Sequence, residues 1–331
     1  MTNELIRLIA FLVGIIAFAA GNAAYLVWVE RKVAGHIQRR IGPKEVGPYG
    51  LLQPLADGVK LMSKQLLVPD GVDPILFKVA PLMVLVPAVM SFVTIPFGEH
   101  LAARNVDLGL LMIFAFASVN VLGLLIGSWG SANKYAVMAA ARVISQNIAY
   151  EIPMLLTAIA LVMATNTMNL NEMVSLQAGG FWQWNLIKLT FTASPLTPIA
   201  FLIFFTTMLA ETNRAPFDMA EAESELVAGS FTEYSGMGFG VFFMGEYANI
   251  VIGAALTTCL FLGGWQSPLP FLPNGVVWFL IKMYAIIFTV VWIRWTFPRT
   301  QFYALLNLSW KVLIPISLVN LIVTAGWLKV F

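Results

Sequence analysis

Eight apolar runs, each close to the length needed to cross a bilayer, divide this sequence more sharply than any other feature. They lie near residues 6–29, 75–97, 108–128, 136–164, 195–212, 239–263, 275–296 and 311–329. A helix needs about 20 apolar residues to cross the hydrocarbon layer, and only helices or closed barrels satisfy their own backbone there. Of the 331 residues, 59% are hydrophobic and 11% charged, against roughly 25% charged in soluble domains. The pattern predicts an all-α fold: a polytopic membrane helix bundle of about eight transmembrane helices, one membrane domain over residues 1–331. The first run continues for about 24 residues without a small-residue cleavage site, so it reads as a span and not as a signal peptide. No internal repeat or soluble extra domain is evident.

Charge sets the expected topology. The stretch 30–77 carries seven basic residues, Arg31, Lys32, Arg39, Arg40, Lys44, Lys60 and Lys64, and Lys134, Arg214, Arg294, Arg299 and Lys311 fall on the same side. The positive-inside bias then places this basic loop and the acidic loop 213–238 in the cytoplasm, with both termini outside. Within the basic loop, Leu52, Leu55, Val59, Met62 and Leu66 share one helical face, and Asp57, Lys60 and Lys64 lie opposite. That segment is too short to span and reads as an interfacial amphipathic helix.

Between Thr206 and Asn249 the sequence departs from its own composition. Seven of its 17 acidic residues fall here (Glu211, Asp218, Glu221, Glu223, Glu225, Glu233 and Glu246), with Arg214 as the one cation among them. Carboxylates are costly beside hydrocarbon, and several close together titrate as a coupled set. Part of the stretch also reads as a short helix over 218–229, with Asp218 as N-cap, Glu221 as capping-box partner and Gly229 as terminator. Further back, Arg142, Gln146 and Tyr150 form a polar stripe at i, i+4, i+8. Glu151 beside it falls near mid-membrane, placed to gain and lose protons unless a cation pairs it. Pro81, Pro87, Pro153 and Pro198 lie in the spans, where each frees a carbonyl that a neighbour must satisfy. Lys282 is deep in the seventh span, from where it is expected to snorkel to the near interface. One cysteine, Cys259, cannot ligate an iron–sulfur cluster, and His36 and His100 are expected on opposite sides of the membrane.

The run from Glu30 to Leu61, ERKVAGHIQRRIGPKEVGPYGLLQPLADGVKL, suits either an acidic partner or lipid headgroups, and positive charge that merely sets topology explains it equally well. Taken with NKYAVMAAARVISQNIAYEIP, ETNRAPFD, EAESELVAG, EYSGM, GEYAN, FLGGW and RWTFPR…LSWKVLIP, however, it forms an ordered series from Glu30 to Pro315. The series resembles one membrane-subunit family of respiratory complex I, the proton-pumping NADH:quinone oxidoreductase; its members are designated H in bacteria and 1 in mitochondria. Two departures are small: Ala220 stands where the family usually has Pro, and Ala149 where it often has Ser.

The resemblance implies a membrane-arm subunit in the bacterial inner membrane, in contact with the hydrophilic arm, other membrane-arm subunits and lipid, and not with nucleic acid. It implies that Arg31, Lys32, Arg39, Asp57, Lys60, Phe217 and Asp218 border a quinone chamber. It likewise assigns Glu151, Glu211, Glu221, Glu223, Glu225 and Glu246 to an acidic path for proton coupling, with Arg142, Arg214 and Arg294 as partners. Quinone would be the substrate, with NADH, FMN and the iron–sulfur clusters on partner subunits and no metal or redox cofactor in this chain. Rival readings are the related membrane component of a complex using ferredoxin, reduced deazaflavin or hydrogen, an autonomous ion transporter, and a passive anchor.

Overall fold

The computed structural model describes residues 2–99, 101–219 and 228–330. In chain order its helices are α1 (Thr2–Ile37), α2 (Gln53–Ser63), α3 (Pro74–Ser91), α4 (Gly109–Gly130), α5 (Lys134–Thr165) and α6 (Leu170–Ser175). There follow α7 (Asn185–Thr192), α8 (Thr197–Glu211), α9 (Gly236–Phe261), α10 (Val276–Thr296), α11 (Phe302–Leu308) and α12 (Ile314–Val330). No strand occurs among the described residues. Among the described residues seven helices are long and apolar enough to cross a membrane, α11 and α12 counting as one continuous helix over Phe302–Val330. The eighth expected span is α8, whose 15 residues reach only about 22 Å at 1.5 Å per residue.

Successive spans alternate in direction, so one end of the bundle collects the charged connections. There Asp73 donates its backbone N–H to Gly130 (3.1 Å), Asn133 bonds Glu233 (2.7 Å), and the Thr300 hydroxyl bonds the Pro216 carbonyl (2.9 Å). At the other end Leu110 bonds Met168 and Phe181 bonds Pro268 through their backbones.

Close packing at the centre depends on small residues, because lipid offers no hydrophobic drive between helices. A Cβ on Gly123 would sit 2.8 Å from Val84, one on Gly127 3.0 Å from Ala80, and one on Gly130 2.9 Å from Leu76. These glycines let α3 and α4 touch along their length. Gly127→Val should therefore destabilise the subunit by about 1–3 kcal/mol through overpacking, seen as a lower thermal midpoint of the detergent-extracted protein.

The prolines behave as their chemistry requires. Pro153 in α5 frees the carbonyl of Ala149, and the Ser309 hydroxyl donates to it. Ser309 opens a π-helical segment, Ser309–Leu313, that joins α11 to α12. Pro81 in α3 frees the Phe77 carbonyl, which accepts from the Tyr234 hydroxyl at 3.1 Å. Pro198 differs from expectation: it sits in the first turn of α8, where the missing N–H has no intrahelical acceptor to lose.

Three further expectations need correction. The first helix does not end at Glu30; it continues to Ile37, so Glu30, Arg31 and Lys32 are helical residues with chain on both sides. Lys282 does not reach water: it donates to the carbonyls of Leu262 (2.6 Å), Gly264 (3.0 Å) and Gln266 (2.7 Å), where α9 has ended. A cation there meets the negative end of the helix dipole, and the ring of Trp184 lies 4.0 Å from the ammonium. The amphipathic segment is helical only over Gln53–Ser63, leaving Lys64 and Leu66 beyond its end. Its apolar stripe faces outward, Val59 being 65% exposed, while Gln53, Asp57 and Leu61 turn toward the bundle.

Candidate functional site: a buried polar network at the charged end

Near the charged end, three spans and one loop bring together charges that the sequence scatters over more than 260 positions. Glu30 on α1 is 6% exposed and accepts from Arg294 on α10 and from the Tyr247 hydroxyl on α9 at 2.5 Å. Arg214, in the loop after α8 and 3% exposed, pairs with Glu246 on α9 at 3.2 Å. Its guanidinium also lies 4.6 Å from the Tyr247 ring centre. Tyr247 thus joins the two pairs, touching one with its hydroxyl and the other with its ring face. Glu30, Arg214, Tyr247 and Arg294 line one small cavity. Formal charge in the set is balanced, two carboxylates against two guanidiniums, which is how buried ions avoid full desolvation cost.

The loop carrying Arg214 is fixed from several directions. Gln146 on α5, fully buried, donates to the carbonyls of Ala210 (2.7 Å) and Phe217 (2.9 Å). Asp218 pairs with Arg299 at 3.2 Å. The expected stripe Arg142–Gln146–Tyr150 is therefore not an open polar face: Gln146 holds the loop, and Tyr150 reaches the carbonyl of Leu305 (3.2 Å) with its ring against Phe217. Arg142 is half-buried one turn before Gln146.

A second group lies deeper. Glu151 on α5 accepts from Ser118 on α4 at 2.7 Å, and Glu151 and Glu211 line a common cavity. A third stands at the bundle's edge, where Arg31 bonds Asp57 at 2.7 Å and Lys60 lies 3.6 Å from it, tying α2 to α1. Burial alone would raise the Asp57 carboxyl, but hydrogen bonds from Arg31 and Gln53 and the charges of Arg31 and Lys60 outweigh it and hold the group below its ordinary range. That pairing contributes stability above the unfolded pKa of about 3.9, lost as pH falls through the lower folded value. Lys32 is half-buried and Arg39 exposed.

Of the expected acidic path, Glu211, Glu246 and Glu151 are thus placed inside the bundle. Glu221, Glu223 and Glu225, and with them the capping box on Asp218, lie outside the described residues. Sequence reasoning passed over Glu30, Tyr247, Ser118 and Arg299 as members of these groups. Glu30 reads in the sequence as the end of a span, which hides it as a buried charge, and nothing local in the sequence distinguishes Tyr247 or Ser118. Among the described residues, no three His, Cys, Asp or Glu side chains gather as metal ligands would.

Fold and site together define a polytopic helical membrane protein with a charge-balanced ionic network buried at one end. The sequence profile of the family described as NADH dehydrogenase matches residues 10–325, and the chain belongs to that family. It is 62% identical, over all of its own length and 99% of the relative's, to the H subunit of the NADH-quinone oxidoreductase of Desulfotalea psychrophila.

Proposed function

We propose that this chain is a membrane subunit of a proton-pumping NADH:quinone oxidoreductase, in which it walls the quinone chamber and couples quinone reduction to proton movement. The observation that carries the reading is the ionic network Glu30–Arg294, Tyr247 and Arg214–Glu246, held between helices near the charged end of the bundle. A passive anchor would have no use for the buried charges of Glu30, Arg214 and Glu246, each costly in hydrocarbon. Reducing a quinone takes up protons and changes charge nearby. A balanced, desolvated network is sensitive to such a change because charges inside it are weakly screened.

In this reading Arg31, Lys32, Arg39, Asp57, Lys60, Phe217 and Asp218 border the chamber, and the outward apolar stripe of α2 meets lipid or the quinone tail. Glu151, Glu211, Glu221, Glu223, Glu225 and Glu246, with Arg142, Arg214 and Arg294, carry the charge change away. NADH oxidation, FMN and iron–sulfur clusters belong to partner subunits, in a bacterial inner membrane with the charged end cytoplasmic.

The test is to tag the chain, extract it in mild detergent and assay what is recovered. Recovery with NADH-binding, iron–sulfur and antiporter-like subunits, and NADH-dependent quinone reduction by that assembly, is the expected result. Recovery with hydrogenase-type or deazaflavin-binding subunits would change the electron donor. A stable, solitary chain active in liposome transport would overturn the reading.

A further inference from the structure

We propose that the cavity between α1 and α10, at the end of the bundle away from the ionic network, binds a zwitterionic phospholipid. One acyl chain fills the cavity and the headgroup rests on Arg104 and Glu99. The inference needs only that the chain spans a membrane, and it is independent of the coupling role proposed above.

The two helices part as they run away from the charged end. Glu30 meets Arg294 there, and further along the Tyr284 hydroxyl donates to Asn22 Oδ1 at 2.5 Å. Beyond that pair they enclose a cavity of ≈ 550 Å³, with Gly14 on one wall and Val276 and Leu280 on the other. Every residue that lines it is apolar. Phe18 meets Phe92 at 5.8 Å and Phe97 at 5.1 Å, both edge to face, which gives the floor a fixed shape. A Cβ added to Gly14 meets no atom within 4 Å, so that wall stands open. Protein interiors leave few voids larger than a water molecule, and a space of this size falls in the range of about 300–1,000 Å³ typical of ligand sites.

Size and charge choose the occupant. The cavity would hold little more than one turn of a helix about 10 Å across, whereas a single hydrocarbon chain suits it. Lipid tails are as apolar as leucine, so a chain gains close contact here and no hydrophobic drive. Selectivity must then come from the headgroup. The rim is a turn in which Phe97 N–H donates to the Leu101 carbonyl (3.1 Å) and Leu101 N–H to the Gly98 carbonyl (3.2 Å). A Cβ on Gly98 would sit 3.1 Å from Val276, so the turn is seated on the start of α10. This turn carries Glu99, exposed, and the exposed Arg104 follows the lining residue Ala103. Neither makes an ion pair among the described residues. A cation and a carboxylate at one rim complement a phosphate and an ammonium. An anionic lipid would use Arg104 and be repelled by Glu99 and by the exposed Asp107 beyond it. A quinone tail would leave all three unused. The bound chain thus completes the seam between α1 and α10 that the Glu30–Arg294 and Asn22–Tyr284 pairs begin.

The probe is phosphatidylethanolamine with a photoactivatable diazirine on its acyl chain, added to the assembled complex in mild detergent. After irradiation, labelled peptides are mapped by mass spectrometry. The expected result is labelling of α1 around Gly14 and of α10 around Leu280 that unlabelled phosphatidylethanolamine displaces. Arg104→Gln should weaken it about threefold, the worth of one exposed ionic contact. Ala103→Trp, which puts an indole into the cavity, should abolish labelling at these two helices and leave labelling elsewhere on the bundle unchanged. If Ala103→Trp does not assemble, Gly14→Leu is read by the same criterion. Undiminished labelling of both helices in the filled variant would overturn the proposal, as would wild-type protein that is not labelled there. Equal labelling by a phosphatidylglycerol probe, or displacement by a long-tailed quinone and not by phospholipid, would overturn it too.

Discussion

Replacing Arg214 with methionine should destabilise the folded subunit by about 3–5 kcal/mol, the cost of leaving a buried partner charge without its counter-ion. Arg214 is 3% exposed and Glu246 7% exposed, so water cannot take over the guanidinium's place without opening the loop after α8. Methionine fills much of the volume and lies against the rings of Phe243 and Tyr247 that Arg214 now covers, so the loss is one of charge and hydrogen bonds more than of packing. The measurement is the yield and thermal midpoint of the detergent-extracted complex. The double variant Arg214→Met, Glu246→Gln removes both charges and should recover roughly half of the lost stability, the two positions being in direct contact and therefore non-additive. A single variant with an unchanged midpoint would mean that Glu246 is neutral in the folded protein, and the charge-balanced description of the network would fall.

The fold was legible in the sequence because a bilayer allows so few solutions. Apolar runs of sufficient length have to be helices, and the boundaries of α3, α5 and α10 follow from where those runs begin. The expectation erred where polarity was used as a boundary. Glu30 looks like the end of a span, yet α1 continues for two more turns, because a charge buried against Arg294 and Tyr247 need not stop a helix. Lys282 looks like a snorkelling side chain for the same reason; its partners are carbonyls 16 to 20 residues away in sequence. The proline rule carried furthest. It demanded partners for freed carbonyls, and Ser309 and Tyr234 are those partners, although no sequence pattern says which hydroxyl will arrive. The network itself was half visible. Arg214, Glu246 and Arg294 stand out by composition, but Glu30 and Arg294 are 264 residues apart in sequence, and only tertiary structure shows that Tyr247 lies between the two pairs.

That junction leads to the second large effect, which separates a structural network from a working one. Glu30→Leu should prevent accumulation of the assembled complex, since it removes the buried carboxylate that the half-buried Arg294 guanidinium and the Tyr247 hydroxyl share, a loss of about 3–5 kcal/mol. Glu30→Gln is the sharper probe. Its amide oxygen still accepts from Arg294 or Tyr247, so the stability cost should stay near the 1–3 kcal/mol of an altered hydrogen bond, while the four-charge set moves from balance to one excess positive charge. If charge balance transmits the consequence of quinone reduction, turnover should fall at least about tenfold, a barrier change of about 1.4 kcal/mol. Adding Arg294→Gln to Glu30→Gln restores balance with neutral, hydrogen-bonding side chains. Stability should then return toward wild type, and turnover should not, because no charge remains at that corner to respond. Recovery of both in the double variant would show that Glu30 and Arg294 serve only to hold α1 against α10. Recovery of stability alone would assign the pair to the coupling path, with Tyr247 as the contact that relays its state to Arg214 and Glu246.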